Sequence, residues 1–524
     1  MRLLGGDLGS GFFTGVRPPL QVSTAALLLF FALGVAAAIV GGWMPARDAA
    51  ASPPALALKA GSGLDRDARL QSPWPAVALI ALALLLVQLP PIAGIPVGAY
   101  VSVAVLLVAA ILAKPLVAPW LFTPLQRALS RRTLDASAAP WWLAATRLAA
   151  TPRFAAIGAA GIVASFALMV AMATMVASFR VSVDQWLERV LPADVYVRAA
   201  TAAAGSLGGT TAAFGDADQR LLATHPLVAR AEFTRNLRVT LDPDRAAVSL
   251  IARPIDRAQA ARKLPLTGEA LAWRDGMPPP AWVSEAIVDL YVVRIGGEIV
   301  LPIAGQAQHF VVAGVWRDYA RQFGAVVVDI VDYERLAGPS PPTEAALWLA
   351  PGASTAELIA ELQPQMQAKS AEFASAGEIR AISLRIFDRS FAVTYVLEIA
   401  AIVIGLTGIA ATFSAQAIVR MREFGMLRHL GVTRGQVLAL LAIEGLLVTA
   451  LAIVIGLAVG LAIAWILVDV VNPQSFHWTM DFRVPVLLVA GLIVALLTAA
   501  ALTALAAGRR AVAADAVLAV RADW

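Results

Sequence analysis

Long apolar runs alternate with short polar segments along most of the 524-residue chain. A helix needs about 20 mostly apolar residues to cross the hydrocarbon core of a bilayer. The runs that approach or exceed this length are 22–42, 74–91, 97–121, 154–179, 393–419, 437–469 and 484–507. The run 74–91 is short, whereas 437–469 is long enough to tilt or to project beyond the bilayer. The pattern predicts a polytopic α-helical membrane protein with about seven spans.

The stretch 180–392, between the fourth and fifth predicted spans, has a different pattern. Apolar and polar residues alternate as they do in half-buried strands, and Ser354 with Glu357 has the spacing of a capping box, which predicts a helix start. The strand-like runs are 194–199, 237–241, 247–252, 309–316 and 325–331, and a helix-like run covers 216–225. We therefore expect one extracytoplasmic α+β domain beside the spans.

A helical stripe follows directly after the fourth predicted span. If the helix continues, its apolar residues fall on one face, which is typical of an amphipathic helix. The stripe consists of Val183, Trp186, Leu187, Val190 and Leu191. We expect the membrane helix to extend outward here as a stalk.

Basic residues predict the orientation of the spans. The chain is 59% hydrophobic and 15% charged, with a net charge of +5. Its arginines concentrate in four segments beside the spans, which the positive-inside rule places in the cytoplasm: 43–73, 122–153, 420–436 and 508–524. The N-terminus and the α+β domain are then outside, and the C-terminus is cytoplasmic. Because the basic residues are not interleaved with aromatic ones in a patch, we expect no nucleic-acid binding.

Catalytic and metal-binding chemistry is not expected. The chain has no cysteine, which excludes disulfides and thiol catalysis, and its four histidines are scattered. Ser284 and Glu285 lack the glycine pattern of a nucleophile elbow. These residues and the polar residues of the outer stretch, His309, Asp318, Asp329 and Asp332, are interpreted as turns or solvated faces. We therefore predict no catalytic residue, no metal and no cofactor bound by this chain.

Two further polar positions lie in or beside spans. Glu444 lies inside the sixth span, where a carboxylate either anchors the helix by bonding a nearby loop arginine or takes part in transmission or proton coupling. His477 and Trp478 lie in a short outer loop, and an interfacial aromatic belt is sufficient to explain them.

The segment 420–436 interrupts two strongly apolar runs with a charged loop. Its arginines can donate charge-assisted hydrogen bonds to carboxylates of a partner, or they serve only as a topology signal. Glu423 is expected to pair with a partner or a neighbouring loop. Gly425 and Gly431 permit close approach or a tight turn at helix ends.

Two segments of the chain align without a gap. Residues 46–59 match 508–521 at several arginine, alanine and leucine positions, each shortly after an outside-to-inside span. A duplication or a chance match of alanine-rich sequence explains this alignment. If it is a duplication, the chain holds one complete copy and only the tail of an earlier one.

Three stretches together resemble the FtsX-like ABC-transporter permeases of the MacB and LolC/LolE superfamily, in particular the long two-copy members. They are "WWLAATRLAATPRF" (141–154), "RMREFGMLRHLGVTRGQV" (420–437) and the basic tail "GRRAVAADAVLAVRADW" (508–524). The second resembles the coupling motif of the family. The residues that this resemblance assigns to ATPase coupling are Arg420, Arg422, Glu423, Gly425, Arg428, Gly431, Val432, Thr433 and Arg434.

The resemblance implies a bacterial inner-membrane permease without its own nucleotide-binding loop, since no G-x-x-x-x-G-K-[ST] sequence occurs. A separate cytosolic ABC ATPase would bind the ATP and drive the spans and the outer domain by mechanotransmission. Lipoproteins, lipids or other hydrophobic compounds are the implied cargo. One alternative is a non-transporting signal transmitter whose outer domain controls a cell-wall hydrolase or senses a ligand, and a periplasmic partner is implied there. A second alternative is a transporter-like scaffold that has no ATPase.

The resemblance also implies a domain division. The divisions are 1–60 as the tail of a first unit with one span, 61–140 as a connecting pair of spans, 141–192 as interfacial helix, span and stalk, 193–391 as the extracytoplasmic domain, and 392–524 as the three-span core with its coupling loop. The family assembles two such units. We expect the second unit to come from a homodimer, from a separate chain, or from sequence before a misassigned start.

Overall fold

The computed structural model describes residues 23–51, 73–92, 94–130, 139–150, 152–199, 213–257, 259–274, 276–366, 371–419 and 421–513. Its contacts divide the chain into two compact units, Met1–Pro73 and Trp74–Trp524. Within the first unit, the structure describes one long apolar helix, α1 (Thr24–Ala51). Most of the aligned segments 46–59 and 508–521 lies outside the described residues. The duplication and the finer domain boundaries therefore stay predictions.

Helices dominate the membrane part of the second unit and alternate with strands elsewhere. In chain order they are α2 (Trp74–Val87), α3 (Val97–Ser130), α4 (Ala139–Ala150), α5 (Pro152–Val190), α6 (Asp216–Thr224), α7 (Glu285–Tyr291), α8 (Ile330–Ala337), α9 (Thr355–Met366), α10 (Ala376–Ser390), α11 (Ala392–Val419), α12 (Met421–His429), α13 (Arg434–Trp465), α14 (Asn472–Phe476) and α15 (Val486–Ala513). A π-helical segment, Ile466–Val471, joins α13 to α14 without a break.

All seven predicted spans are helical, but they differ in length. The helices long and apolar enough to cross a membrane are Thr24–Trp43, Ala160–Val190, Arg434–Phe476 and Val486–Arg509, and the bent pair Ala376–Arg389 with Ala392–Gly408 makes a fifth. Trp74–Val87 and the apolar part of α3, Val97–Ala113, are shorter. With a rise of 1.5 Å per residue, the 14 residues of α2 extend only about 21 Å, less than the roughly 30 Å of a bilayer core. By length alone, the described residues therefore hold fewer full spans than the seven predicted.

A nine-stranded sheet forms the predicted α+β domain. Its strands are β1 (Val195–Ala199), β2 (Val228–Val239), β3 (Val248–Arg253), β4 (Pro280–Ser284), β5 (Glu298–Ile303), β6 (Gln306–Trp316), β7 (Ala325–Asp329), β8 (Glu344–Leu349) and β9 (Ala371–Ser375). Their order across the sheet is β5-β6-β4-β7-β3-β2-β8-β1-β9. The long strand β2 joins two halves, since its first residues pair with β8 and its last with β3. The fold class, a polytopic α-helical membrane protein with one α+β domain, is confirmed.

The five predicted strands all form, and four further strands were not predicted. Every residue of β4 is buried, so the strand has no alternation to detect. In the edge strand β5 alternation is present, but Pro302 argues against a strand by sequence alone. Helix α9 begins at Thr355, directly after Ser354, as the capping pattern predicted.

The predicted stalk is the outer part of α5. This helix has 39 residues and extends about 58 Å, nearly twice the thickness of a bilayer core. Val183, Trp186 and Leu187 are buried where the helix meets the α+β domain. The stripe therefore packs against protein, as its apolar character requires.

Candidate functional site

The charged segment 420–436 forms the short helix α12 and the turn that leads into α13. Of the predicted coupling residues, Glu423, Gly425 and Arg428 lie in α12, Gly431, Val432 and Thr433 form the turn, and Arg434 begins α13. Arg420 lies outside the described residues, and only the helical backbone of Arg422 is described. The segment is thus a short helix directly connected to a long membrane helix. We call α12 the coupling helix.

Glycine ends the coupling helix. Gly431 adopts a φ of +96°, a left-handed conformation that L side chains rarely adopt. Its N–H donates to the Arg428 carbonyl at 3.1 Å, and the Val432 N–H donates to the Leu427 carbonyl at 3.0 Å. These two bonds form a Schellman motif, and Leu427 and Val432 pack against the same small cluster, as the motif requires. Gly425, by contrast, is buried in the middle of the helix and not at its end.

Threonine begins the next helix. The backbone N–H of Gln436 donates to Thr433 Oγ1 at 3.3 Å, and the Thr433 N–H donates to Gln436 Oε1 at 2.9 Å. This reciprocal pair is a capping box. The turn between α12 and α13 is therefore specified at both ends by local chemistry.

The inner face of the coupling helix is fixed to its neighbours. Phe424 is 2% exposed and packs with Val437 and Leu441 of α13. Glu423 forms a two-bonded ion pair with Arg147 of the interfacial helix α4, at 2.8 Å and 3.3 Å. Two hydrogen bonds between a guanidinium and a carboxylate fix the relative orientation of the two side chains as well as pairing their charges. Helix α12 is therefore in direct contact with both α4 and α13.

The outer edge of the coupling helix is apolar and basic. Met426 is 59% exposed and Leu430 is 82% exposed, and both lie beside exposed His429 and Arg434. Within the described part of the chain, Arg428 and Arg434 have no ion pair. The sequence prediction named the arginines but missed Met426 and Leu430. Their i, i+4 spacing within an otherwise polar loop was the available signal.

Glu444 lies in α13, on a side that faces the bundle. Its side chain is 3% exposed, and its neighbours in the helix, Ile443 and Leu440, contact Ala144 of α4. The structure keeps this carboxylate in the interior of the bundle. Both hypotheses for its role, anchoring and transmission, stay predictions.

Two glycines bring α13 close to the stalk helix α5. They form a G-x-x-x-G sequence, Gly456 to Gly460, which the sequence prediction did not use. A Cβ at Gly460 would lie 2.7 Å from the Ala167 carbonyl oxygen and 2.8 Å from Val170 Cβ, and one at Gly456 would lie 3.0 Å from the Phe166 ring. Small residues allow this backbone approach between membrane helices. The helix that begins at the coupling turn is thus packed directly on the helix that carries the stalk.

The outer loop 477–483 binds the α+β domain. Glu285 of α7 accepts hydrogen bonds from the Thr479 N–H at 2.9 Å and from Thr479 Oγ1 at 2.6 Å. Arg317 Nη1 donates to Asp481 at 3.2 Å, and the Tyr319 hydroxyl donates to the Thr479 carbonyl at 2.9 Å. We call loop 477–483 with Glu285, Asp289, Arg317 and Tyr319 the outer junction.

The stalk closes the outer junction from the other side. Ser182 Oγ accepts from the Asp481 N–H at 3.1 Å, and Ser178 Oγ accepts from the Arg483 N–H at 2.9 Å. One loop therefore connects α14, the stalk and the α+β domain. Backbone and side-chain bonds both contribute, so the connection does not depend on a single charge pair.

Burial explains the electrostatics of the outer junction. It raises the pKa of the Glu285 carboxyl, although Thr479 donates two hydrogen bonds that oppose the shift. It also raises the pKa of Tyr319 to about 12, so the hydroxyl stays protonated and can donate. The interpretation of Glu285 as a turn or solvated residue was wrong, because its carboxylate is partly buried and bonded to the loop. The same interpretation was wrong for Ser284, Asp318 and Asp332, which are at most 2% exposed.

The interpretation of Trp478 as part of an interfacial belt was also wrong. Trp478 is 6% exposed and stacks on Phe179 and Phe476, and it makes an edge contact with Tyr319. His477 pairs with Asp289 of α7. Sequence could not show the contacts with Phe179, Tyr319 and Asp289, since these partners are distant along the chain.

Two family descriptions match the chain. Residues 395–516 match the FtsX-like permease C-terminal family, and residues 155–365 match the MacB-like periplasmic core domain. An uncharacterized ABC transporter permease protein of Mycobacterium tuberculosis is 28% identical over 478 residues, which cover 88% of this chain and 54% of that protein. The chain therefore spans about half the length of this curated relative.

Solved structures resemble the chain more weakly. The periplasmic region of MacB from Actinobacillus actinomycetemcomitans has a TM-score of 0.28 and 9% identity, over 37% of this chain and 94% of that one. The extracellular domain of the ABC-type transporter YknZ from Gram-positive bacteria has a TM-score of 0.23 and 11% identity, over 35% and 98%. The two family matches cover separate parts of the sequence, and the chain therefore carries a MacB-like periplasmic core domain followed by an FtsX-like permease C-terminal domain.

Proposed function

We propose that this chain is the permease subunit of an ABC transporter and that a separate cytosolic ATPase drives it through the coupling helix. One observation carries the proposal: a helix held on its inner face by Phe424 and Glu423 presents an exposed edge of Met426, Leu430 and Arg434. Exposed apolar side chains beside unpaired positive charge suit an acidic, partly apolar groove on a partner. The ATPase would bind the ATP, and this chain would bind no cofactor.

The distribution of charge supports one orientation of the chain in the membrane. Helix α5 runs from α4 to the α+β domain, and α11 runs from that domain back to α12, so α4 and α12 lie at one end of the spans and the domain at the other. Arginine is concentrated near α4 and α12, which supports a cytoplasmic coupling helix and a periplasmic domain. The N-terminus would be outside and the C-terminus inside, in a bacterial inner membrane.

Mechanotransmission would follow the packed elements. Force on α12 would pass through its capped turn into α13, and α13 packs on the stalk helix at Gly456 and Gly460. Helix α13 continues through the π-helical segment into α14, which leads to the outer junction. There, Glu285 and Arg317 bind loop 477–483. A stroke at the cytoplasmic end would thus move the periplasmic domain without any channel through the bilayer.

Cargo and assembly are part of the same proposal. Lipoprotein, lipid or another hydrophobic compound at the outer face would be moved or extracted by the periplasmic domain. A second permease unit, from a homodimer or a separate chain, would complete the transporter, and a periplasmic partner would receive the cargo.

An affinity pull-down from membranes tests the ATPase link. The parent chain and a Leu430→Glu, Arg434→Glu variant would be compared, with mass spectrometry of the retained proteins. Both side chains are exposed, so the variant should insert and fold normally. We expect the parent to retain a protein with a G-x-x-x-x-G-K-[ST] loop and the variant to retain about tenfold less, as loss of an interface anchor predicts.

A charge reversal elsewhere provides the control. Arg127→Glu near the end of α3 changes a basic residue predicted to lie on the same side of the membrane. It should leave ATPase retention unchanged. If no ATPase is retained by the parent, or if both variants lose it equally, the charge of 420–436 is only a topology signal and the proposal fails.

A further inference from the structure

A large cavity separates the stalk from the sheet of the periplasmic domain. Its volume is about 440 Å³, within the range of small-molecule sites. The end of the stalk, from Trp186 to Pro192, forms one wall. Strands from both halves of the sheet form another, and Ile379 and Ser383 of α10 close a third side. The cavity thus lies between the element that would move and the domain that would respond.

Arg253, the last residue of β3, lines this cavity without a partner. Among the described residues it forms no hydrogen bond and no ion pair, and its Nε is buried. The residue as a whole is partly exposed and lines the cavity. An arginine stays charged in proteins, and no direct ion pair neutralises this charge, although the carboxylates of Glu232 and Glu344 lie close enough to act on it electrostatically.

Of the other charged residues that line the cavity, Arg198, Arg321 and Glu344 are paired, whereas the exposed Glu372 has no ion pair among the described residues. Arg198 Nε donates to Glu344 at 3.1 Å, and Arg321 donates to Asp318 at 3.0 Å. Glu232 accepts from Lys263 at 2.7 Å and 2.9 Å. Burial raises the pKa of Tyr196 to about 12, so this phenol is neutral and cannot act as the counter-ion of Arg253.

The floor of the cavity is apolar. Leu187 of the stalk, Ile251 and Leu264 line it, and none is more than 7% exposed. Trp186 and Trp316 add aromatic surface. A free inorganic anion would leave this surface without a contact, whereas a neutral hydrocarbon would leave Arg253 unpaired. The complementary molecule has both an anionic group and an apolar chain.

We infer that the cavity binds an anionic amphiphile, with a carboxylate or phosphate head on Arg253 and an apolar chain along Leu187, Leu264 and Trp316. The inference rests on the proposed function, since it names the chemical class of the cargo or of a regulatory lipid at the site where the stalk meets the domain. Charge-assisted bonds from Arg253 would provide head-group specificity, and burial of the chain would provide affinity.

Photo-crosslinking on the full chain tests the inference. The chain would be reconstituted in phosphatidylcholine nanodiscs without ATPase or ATP and exposed to dodecanoate carrying a diazirine on its chain. We expect labelled peptides from the stalk end and from β3. Dodecanoate and dodecyl phosphate should compete, and the more effective of the two identifies the head group. Dodecanol and inorganic phosphate should not compete.

Three variants define the role of Arg253. Arg253→Gln should reduce labelling of the cavity about tenfold or more, the usual effect of a lost charged hydrogen bond. Arg253→Lys keeps the charge and should retain most of the labelling. Arg220→Gln, the matched control, removes an exposed arginine of α6 that does not line the cavity, and it should leave labelling unchanged.

Several results would overturn the inference. They are equal labelling of parent and Arg253→Gln, equal competition by dodecanol and dodecanoate, competition by inorganic phosphate alone, and absence of label from the cavity. The ATPase pull-down distinguishes this failure from failure of the proposed function, because Arg253→Gln leaves the coupling helix intact and should retain the ATPase.

Discussion

At the scale of single residues, the Arg147–Glu423 pair connects the interfacial helix to the coupling helix. Its side chains are 32% and 43% exposed, so we expect it to contribute only about 0–1 kcal/mol to stability. Its geometry should matter more. Glu423→Arg or Arg147→Glu alone should abolish most permease-dependent stimulation of the ATPase with little change in Tm, and the double swap should restore it. If both single variants stimulated the ATPase as strongly as the parent chain does, this contact would have no role in transmission.

Arg253 and Arg257 should respond oppositely to the same substitution. Arg253 has no partner, so Arg253→Gln should leave Tm unchanged or raise stability by about 1–3 kcal/mol. Arg257 donates to both oxygens of Asp332, which is 1% exposed, at 2.7 Å. Arg257→Gln should cost about 3 kcal/mol, because it weakens a buried ion pair. Thermal unfolding of the two variants measures the contrast, and a similar loss in both would mean that Arg253 is structural.

Local chemistry made some residues predictable and not others. Gly431 could be placed from sequence because a helix end favours a left-handed glycine, and the position of Thr433 follows the same logic of capping. Arg147 and Trp478 depend on partners hundreds of residues away, so no local pattern reveals their contacts. Arg253 is one more basic residue in sequence, and only the packing around it shows that it lacks a partner.

At the scale of elements, α5 and α13 depend on their glycines. Gly460→Ile should force the two helices apart, because a Cβ alone would lie within 2.8 Å of backbone and side-chain atoms of α5. We expect a loss of about 1–3 kcal/mol or more, as for overpacking, together with loss of permease-dependent ATPase stimulation. Gly491→Ile in α15 is the matched control, since nothing lies within 4 Å of its Cβ position. Equal effects of the two variants on Tm would show that close approach is unimportant.

The stalk and α10 are joined by a charge cluster that should titrate. Arg380 donates to Asp184 at 2.6 Å and pairs with Glu188 at 2.8 Å, and the bond from Arg380 holds the pKa of Asp184 below its usual range. A lowered carboxyl pKa means that the stabilisation is present above the unfolded-state pKa and is lost as the pH falls through the folded one. Arg380→Gln should therefore lower Tm at pH 7 by an amount that shrinks below about pH 4. If the difference in Tm between the parent and Arg380→Gln did not vary with pH, the stabilisation would not come from the bond between Arg380 and ionised Asp184.

Element types were easier to predict than element lengths. The seven apolar runs all form helices, as expected because an apolar run of about 20 residues is typical of a membrane-spanning helix. The continuity of α13 into α14 through a π-helical segment is not encoded by hydropathy. The α+β domain was predicted by class alone, because the order of its strands depends on pairings between distant segments, such as β1 with β8 and β9.

At the scale of the whole molecule, the packed elements of residues 74–513 form one continuous path. The coupling helix leads into α13, α13 packs on the stalk, and loop 477–483 connects both to the α+β domain. The cavity at Arg253 lies where the stalk meets the sheet. If an ATP-driven stroke rotates the stalk, as the proposed function requires, the shape of the cavity and its affinity for the inferred ligand should change with it.

The absence of cysteine makes this path measurable. Cysteines introduced at Val331 in α8 and Leu487 in α15, which are 56% and 91% exposed, would be the only labelling sites in the chain for spin labels. In the complex with the ATPase, we expect the distance distribution between the two labels to shift when ATP and vanadate are added. Glu285→Ala with Arg317→Ala should abolish most of that shift, because the outer junction loses its bonds to Thr479 and Asp481.

The control for this experiment removes a pair elsewhere in the domain. Arg198→Ala with Glu344→Ala deletes an exposed ion pair outside the outer junction and should leave the nucleotide-dependent shift intact. Retention of the ATPase by all variants would show that docking is unaffected and that only transmission differs. A full shift in the Glu285→Ala, Arg317→Ala variant would mean that the stalk alone moves the domain, and the outer junction would then be a static support.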